Sequence, residues 1–183
     1  MITFLCLRRH LIGARPIATG LFLLLAQLLT LTPTYTAAEG LSHSEIRAGV
    51  QAVKAEIAAT NAKDFRRSVN MTDPALINAL SRFFGMSMEQ MIALADRELK
   101  GHAITVTPDY SKMVQVKNLA GEYYLKVPAR VKVQPPLPIG RETITYIAYK
   151  KNGHFYTVDL NSWIARRVFV RIYPEFKGLR LYK

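Results

Sequence analysis

The apolar residues of this chain change their spacing once, near His102, and this change constrains the fold more than any other feature of the sequence. Between residues 43 and 99 they recur every three or four positions, which is the spacing of amphipathic helices. From His102 onward they mostly alternate with polar residues, which is typical of strands with one buried face. Helices followed by several short strands predict an α+β domain in which N-terminal helices pack on an antiparallel sheet.

Three caps mark the predicted helices, and an apolar stripe of helical period follows each of them. A proline directly follows the second cap, in the first helical turn, where its missing N–H is tolerated. Glycines end the second and third helices. The predicted helices are residues 43–61 after Ser42 and Glu45, a short helix from Asp73-Pro74 to Gly85, and a third from Ser87 and Gln90 to Gly101.

Five strands are predicted in the second half of the chain. The Asn152-Gly153 pair predicts a tight hairpin between the last two. The prolines and glycine of residues 135–140 predict a rigid connection. Residues 162–173 fit a strand or a helix, and we predict a short C-terminal helix that Pro174 ends. The strands are predicted at residues 102–107, 112–117, 123–133, 141–150 and 154–160.

Residues 123–133 alternate most regularly. Their odd positions are apolar or aromatic and predict a buried face, while the even positions include Lys126, Arg130 and Lys132. These three basic side chains therefore share one face of a strand. We predict that they form a patch that binds an anionic surface at low salt, with a solvated outer sheet face as the alternative.

The first 38 residues have the pattern of a secretory signal. Residues 1–16 are basic and lack acidic side chains, and residues 17–31 form an apolar run shorter than a membrane span requires. Small residues at Thr36 and Ala38 predict cleavage between Ala38 and Glu39. We therefore predict a signal peptide over residues 1–38 and one periplasmic domain over residues 39–183. An uncleaved anchor in the inner membrane is the alternative.

Cysteine content and charge restrict the chemistry of residues 39–183. The only cysteine of the chain is Cys6, so this part can form no disulfide and no thiolate metal site. The whole chain has a net charge of +12, and residues 101–183 hold 14 basic and 5 acidic side chains. This excess favours acidic partners, namely an anionic membrane surface or an acidic protein. Nucleic acid is not expected as a partner outside the cytoplasm.

Several landmarks along residues 39–183 resemble those of small exported proteobacterial proteins of uncharacterised role. Helices before a curved antiparallel sheet are also the order of the cone-shaped fold of nuclear transport factor 2-like and cystatin-like proteins. The resemblance implies this fold and an extracytoplasmic location, without an activity. The landmarks are residues 61–65, Met71-Thr72-Asp73-Pro74, Phe84-Gly85-Met86-Ser87, residues 151–156 and Tyr173-Pro174-Glu175-Phe176-Lys177-Gly178.

One histidine is a candidate general base. His102 shares its strand parity with Ile104 and Val106, which would direct it towards the interior, and Asp64 or Asp159 could orient it. A histidine at the rim of the sheet is the alternative. Enzymes of the resembled family place an aspartate and a histidine deep in the cone, and no pair here matches that motif by position. No metal site and no cofactor are predicted, because Met86, Met88 and Met91 fit core packing better than copper binding.

Aromatic side chains are the candidates for ligand binding. Inward-facing aromatics in a cone-shaped fold line a pocket, and tyrosine hydroxyls there would orient a small apolar ligand. A filled core with tyrosine hydroxyls at the rim is the alternative. The predicted ligand-binding residues are Tyr123, Tyr146, Phe155 and Trp163.

Three classes of function remain open from the sequence. The first is a non-enzymatic periplasmic binding or accessory protein with a small pocket and a basic sheet face, on which a second copy could pair. The second is a pocket enzyme of the isomerase or hydrolase type that uses His102 and an aspartate. The third is a membrane-anchored scaffold component of a secretion system, which requires that the leader stay uncut.

Overall fold

The computed structural model describes residues 39–135, 143–160 and 162–179, which belong to one compact unit, Ala38–Lys183. The predicted signal over residues 1–38 and most of the predicted rigid connection lie outside the described residues. Within the described ranges the fold is α+β, with N-terminal helices packed on a curled antiparallel sheet and a short C-terminal helix. The predicted fold class is therefore confirmed.

Five α-helices occur in the part of the chain that the structure describes. The first begins at Ser42 with the predicted capping box, in which the Glu45 N–H donates to Ser42 Oγ at 3.3 Å and the Ser42 N–H donates to Glu45 Oε2 at 2.9 Å. The C-terminal helix is also confirmed. The helices are α1 (His43–Asn61), α2 (Phe65–Met71), α3 (Pro74–Phe84), α4 (Met88–Glu98) and α5 (Trp163–Ile172).

Helix α2 was not predicted from the sequence. It has seven residues, none of them fully buried, so it carries no apolar stripe that a periodicity argument can detect. Asp64 caps it by accepting a hydrogen bond from the Arg67 N–H at 3.0 Å. The predicted end of α4 at Gly101 is corrected as well, because the helix ends at Glu98 and Gly101 takes a positive φ in the turn that follows.

The five strands of the described chain form one antiparallel sheet. Both β1 and β2 pair with the long strand β3, while β4 pairs with the opposite edge of β3 and β5 pairs with β4. A 3-10 turn at Tyr110–Lys112 separates β1 from β2. The strands are β1 (Ala103–Pro108), β2 (Val114–Lys117), β3 (Tyr123–Gln134), β4 (Thr143–Lys151) and β5 (His154–Asp159).

The sheet is covered on both faces, and this corrects the prediction of one buried and one basic face on β3. Helix α1 covers one face over Leu125 and Val127. Helices α3 and α5 pack on the other face, where they bury Tyr124. Of the even positions of β3, Tyr124 is therefore buried, Lys126 is half-buried, and Arg130 is exposed beyond the second layer.

Candidate functional site

An apolar groove lies beside the short strand β2. Its volume is about 490 Å³. Val114 and Val116 line it from the strand and Leu119 from the following turn. Phe176 and Leu179 line it from the C-terminal segment, which we define as residues 173–179 after α5. The ring centroids of Tyr124 and Phe176 lie 5.0 Å apart. Both residues line the groove and also belong to the core cluster between the sheet and helices α3 and α5.

Two apolar side chains of the groove remain open to solvent. Val114 is 48% exposed and Leu119 is 71% exposed. The Leu119 N–H donates to the carbonyl of Glu175 at 2.8 Å, so a backbone hydrogen bond holds the turn against the C-terminal segment. Exposed apolar side chains beside a concave, mostly apolar hollow are typical of a binding surface.

The rim of the groove carries charged side chains of both signs. Lys117, Lys126 and Glu175 all line it. The ammonium of Lys117 lies 3.1 Å from Glu39 Oε1 and 5.0 Å from the ring centroid of Tyr123. The hydrogen bond to Glu39 is the largest influence that raises the pKa of Lys117, so this side chain is positively charged at neutral pH.

The four aromatic residues predicted to bind a ligand do not meet in one pocket. Tyr146 is packed in the core between α1 and the sheet, where Phe155 is half-buried against the same cluster. Tyr123 lines a smaller polar hollow of about 250 Å³ that shares Phe176 with the groove. Trp163 is exposed at the start of α5. Phe155 also lines a separate hollow of about 320 Å³ together with Ala52 of α1, and the binding role of these four residues stays a prediction.

The three predicted patch residues divide between two environments. Arg130 and Lys132 are exposed and pair across the sheet with Thr107 and Thr105 of β1. Lys126 is half-buried and lines the groove. The expectation of full solvent exposure therefore holds for Arg130 and Lys132 only, because the segment after α5, with Phe176 and Leu179, lies beside Lys126.

The structure does not pair His102 with either predicted aspartate. His102 Nδ1 lies 2.8 Å from the carbonyl oxygen of Pro135, and the described hydrogen bond of Asp64 is the cap of α2. Asp159 ends β5, which is separated from β1 by β3 and β4. With about 4.8 Å between neighbouring strands, His102 and Asp159 belong to distant parts of the sheet.

A buried carboxylate at the start of α3 forms a network that the sequence did not predict. Asp73 Oδ1 accepts from the Ala75 N–H at 2.8 Å, and Oδ2 accepts from Lys151 Nζ at 2.9 Å and from the hydroxyl of Tyr173. The Tyr149 hydroxyl donates to the same oxygen at 3.4 Å. Burial by itself would raise the pKa of Asp73, but these hydrogen bonds outweigh it and the pKa lies below its ordinary value.

A second carboxyl group with a buried oxygen is that of Glu56, a half-buried residue of α1. Ser68 Oγ donates to Glu56 Oε1 at 2.5 Å, whereas Glu56 Oε2 is buried without a hydrogen-bond partner. Burial is the main reason that the pKa of Glu56 is raised, and the charge of Asp159 raises it further. Burial, with the charges of Asp159 and Glu56, also raises the pKa of Tyr146.

The signals for these two carboxyl groups were weak in the sequence. Asp73 was recognised as a helix cap, and only the tertiary structure shows that the hairpin residue Lys151 reaches it. Glu56 lies between the buried residues Val53 and Ile57 of α1. Its position in the helical pattern does not indicate that one of its carboxyl oxygens is buried.

No family model, curated protein or solved structure matches the chain. Within residues 39–135, 143–160 and 162–179, no group of three or more histidine, cysteine, aspartate or glutamate side chains could hold a metal ion. None of the helices in the same ranges has the length and apolar character needed to cross a membrane.

Proposed function

We propose that the protein is an exported, non-enzymatic binding or accessory protein whose groove beside β2 holds a small apolar ligand. The observation that carries the proposal is the apolar groove of about 490 Å³, which has exposed Val114 and Leu119 at its opening. At the rim, the two lysines Lys117 and Lys126 outnumber the single acidic residue Glu175, which favours a ligand with an acidic group at one end. The signal pattern of residues 1–38 supports export to the periplasm.

We further propose membership of the nuclear transport factor 2-like superfamily. Helices that precede a curled antiparallel sheet support this assignment. The proposed ligand site lies on the face of the sheet opposite α1.

Binding of a fluorescent apolar dye with a sulfonate group, anilinonaphthalene sulfonate, tests the groove. We expect saturable binding that decanoate displaces and that decylamine displaces less well, because the rim carries lysines. Val114→Asp places a carboxylate at an exposed position of the groove and should weaken dye binding at least tenfold. Leu94→Asp is the matched control, because Leu94 is also exposed but lies on α4.

Two results would contradict the proposal. One is dye binding that Val114→Asp leaves unchanged while the circular dichroism spectrum stays that of the parent. The other is the absence of saturable dye binding by the parent protein.

A further inference from the structure

Helices α3 and α5 pack on each other on the second face of the sheet, and we infer from their contacts that they run antiparallel. The cap of α3, Asp73, is bonded to Tyr173 at the end of α5. Leu76 of α3 and Phe169 of α5 pack in the same core cluster. The start of α3 therefore lies beside the end of α5, and the end of α3 points the same way as the start of α5.

Three large aromatic side chains are exposed at that end of the helix pair. Phe83 and Phe84 end α3 and are 49% and 46% exposed, and Trp163 begins α5 and is 66% exposed. Phe83 continues the stripe of Leu76 and Leu80 at helical spacing, yet it is not buried. We call Phe83, Phe84 and Trp163 the aromatic end.

The charges of the two helices have one sign. Helix α3 contains Arg82, helix α5 contains Arg166, Arg167 and Arg171, and neither helix contains an acidic residue. Arg82 and Arg167 are exposed, while Arg166 Nη2 donates to the carbonyl of Leu179 at 2.7 Å. Arg171 lies at the other end of α5, so Arg82 and Arg167 are the exposed basic residues that favour a negatively charged partner at the aromatic end.

We propose that the aromatic end is a docking surface for an anionic lipid bilayer, with its three rings in the headgroup region and the neighbouring arginines against lipid phosphates. Tryptophan and phenylalanine are favoured at membrane interfaces because an apolar ring gains from partial burial there. Arginines near an anionic membrane surface add attraction that salt weakens. This proposal concerns the face of α3 and α5 and does not depend on a ligand in the groove.

The emission of Trp163 reports on this surface directly, because it is the only tryptophan of the chain. The exported protein is mixed with vesicles of phosphatidylglycerol and phosphatidylcholine, and separately with vesicles of phosphatidylcholine alone. We expect the emission to move to shorter wavelength with the anionic vesicles at low salt and to return as salt is added. Brominated lipids should quench it.

Variants then show which side chains bind. The double variant Phe83→Ser and Phe84→Ser should reduce the vesicle partition coefficient at least about tenfold, because two phenyl rings lose their burial. Arg167→Glu should reduce it more than about fivefold, the loss expected for one basic residue. Leu119→Ser and the pair Arg130→Glu and Lys132→Glu are the controls, since they change an exposed apolar residue and the basic sheet face elsewhere. Any contribution of residues 1–38 is the same in every variant.

Three outcomes would overturn the proposal. The first is that Trp163 emission does not respond to anionic vesicles. The second is that vesicle binding is lost in the Arg130→Glu and Lys132→Glu pair and kept in the Phe83→Ser and Phe84→Ser variant. The third is that polyglutamate shifts the emission while anionic vesicles do not, which would identify an acidic protein as the partner.

Discussion

Two carboxyl groups lie in different layers of this molecule and differ in how completely their buried oxygens are hydrogen-bonded. Asp73 is surrounded by donors, namely the ammonium of Lys151 and the hydroxyls of Tyr149 and Tyr173. Glu56 has one donor, Ser68, and one buried oxygen without a partner. A buried carboxylate stabilises the fold only where its hydrogen bonds exceed the cost of removing it from water.

Replacing Lys151 by methionine should destabilise the protein by about 2 kcal/mol or more, because the buried Asp73 loses its charged donor. Urea unfolding at pH 7 measures the change. Lys150→Met is the matched control, since Lys150 is the neighbouring residue and its ion pair with Glu45 is more exposed to solvent. Equal losses in the two variants would show that the Asp73 network contributes nothing specific.

The Asp73 network should also make stability depend on pH in the acid range. The pKa of Asp73 is below its ordinary value, so the unfolded chain takes up a proton at a higher pH than the folded chain. Stability from this group is fully present above the ordinary pKa of about 3.9 and is lost as the pH falls below it. The stability difference between the parent and Asp73→Asn should therefore shrink from pH 7 to pH 3 in urea unfolding. A difference that stays constant with pH contradicts this assignment.

Glu56→Gln should stabilise the protein at neutral pH. The pKa of Glu56 is raised, so between its ordinary value of about 4.3 and its folded value the folded state holds a proton that the unfolded state has lost. Stability therefore falls as the pH rises through this window, and the neutral amide removes that loss. Thermal unfolding of the parent and of Glu56→Gln at pH 4 and pH 8 measures this pH-dependent loss of stability. Glu98→Gln, on the exposed end of α4, should have no such effect.

At the scale of elements, α1 approaches the sheet closely at Gly49. A β-carbon there would lie 2.6 Å from Leu125 Cδ1 and 3.2 Å from the ring of Phe155. Leu125 is fully buried and cannot move into solvent. Gly49 therefore sets the distance at which the helix packs on β3.

Gly49→Ala should lower the stability although alanine favours helices. Overpacking costs about 1–3 kcal/mol, while the gain in helix propensity is about 1 kcal/mol, so we expect a net loss of about 1 kcal/mol. Chemical unfolding measures it. Gln51→Ala on the exposed side of α1 should cause no loss, and Leu125→Val should offset part of the loss in a double variant. A Gly49→Ala variant that is more stable than the parent would show that α1 can move away from β3 without a loss of stability.

At the scale of the whole molecule, the first residues after the predicted cleavage site make tertiary contacts. Glu39 pairs with Lys117, and the Leu41 N–H donates to Gln115 Oε1 at 2.8 Å. Exported protein should therefore begin at Glu39, and residues 39–183 alone should unfold at the same temperature as the full chain. Amino-terminal sequencing and thermal unfolding measure the two. Protein that keeps residues 1–38 and stays in the membrane fraction would favour the anchored scaffold instead.

The sequence by itself was sufficient for the elements whose signals are local. The capping box at Ser42, the cap and proline at Asp73-Pro74 and the Asn152-Gly153 turn are all made by neighbouring residues, and the structure has them where they were predicted. The order of helices and strands follows from the change of period at His102. Helix α2 was not predicted, because none of its seven residues is completely buried and its sequence therefore shows no apolar stripe.

Only the tertiary structure decided which faces are buried and which residues meet. Alternation along β3 shows that its side chains point to two faces, but the covering of the second face depends on where α5 packs, 40 residues later. The ion pair of Asp73 and Lys151 joins residues 78 apart, and the groove joins β2 to the C-terminal segment. Contacts of this kind depend on chain folding over long distances in sequence, and no local pattern of residue types encodes them.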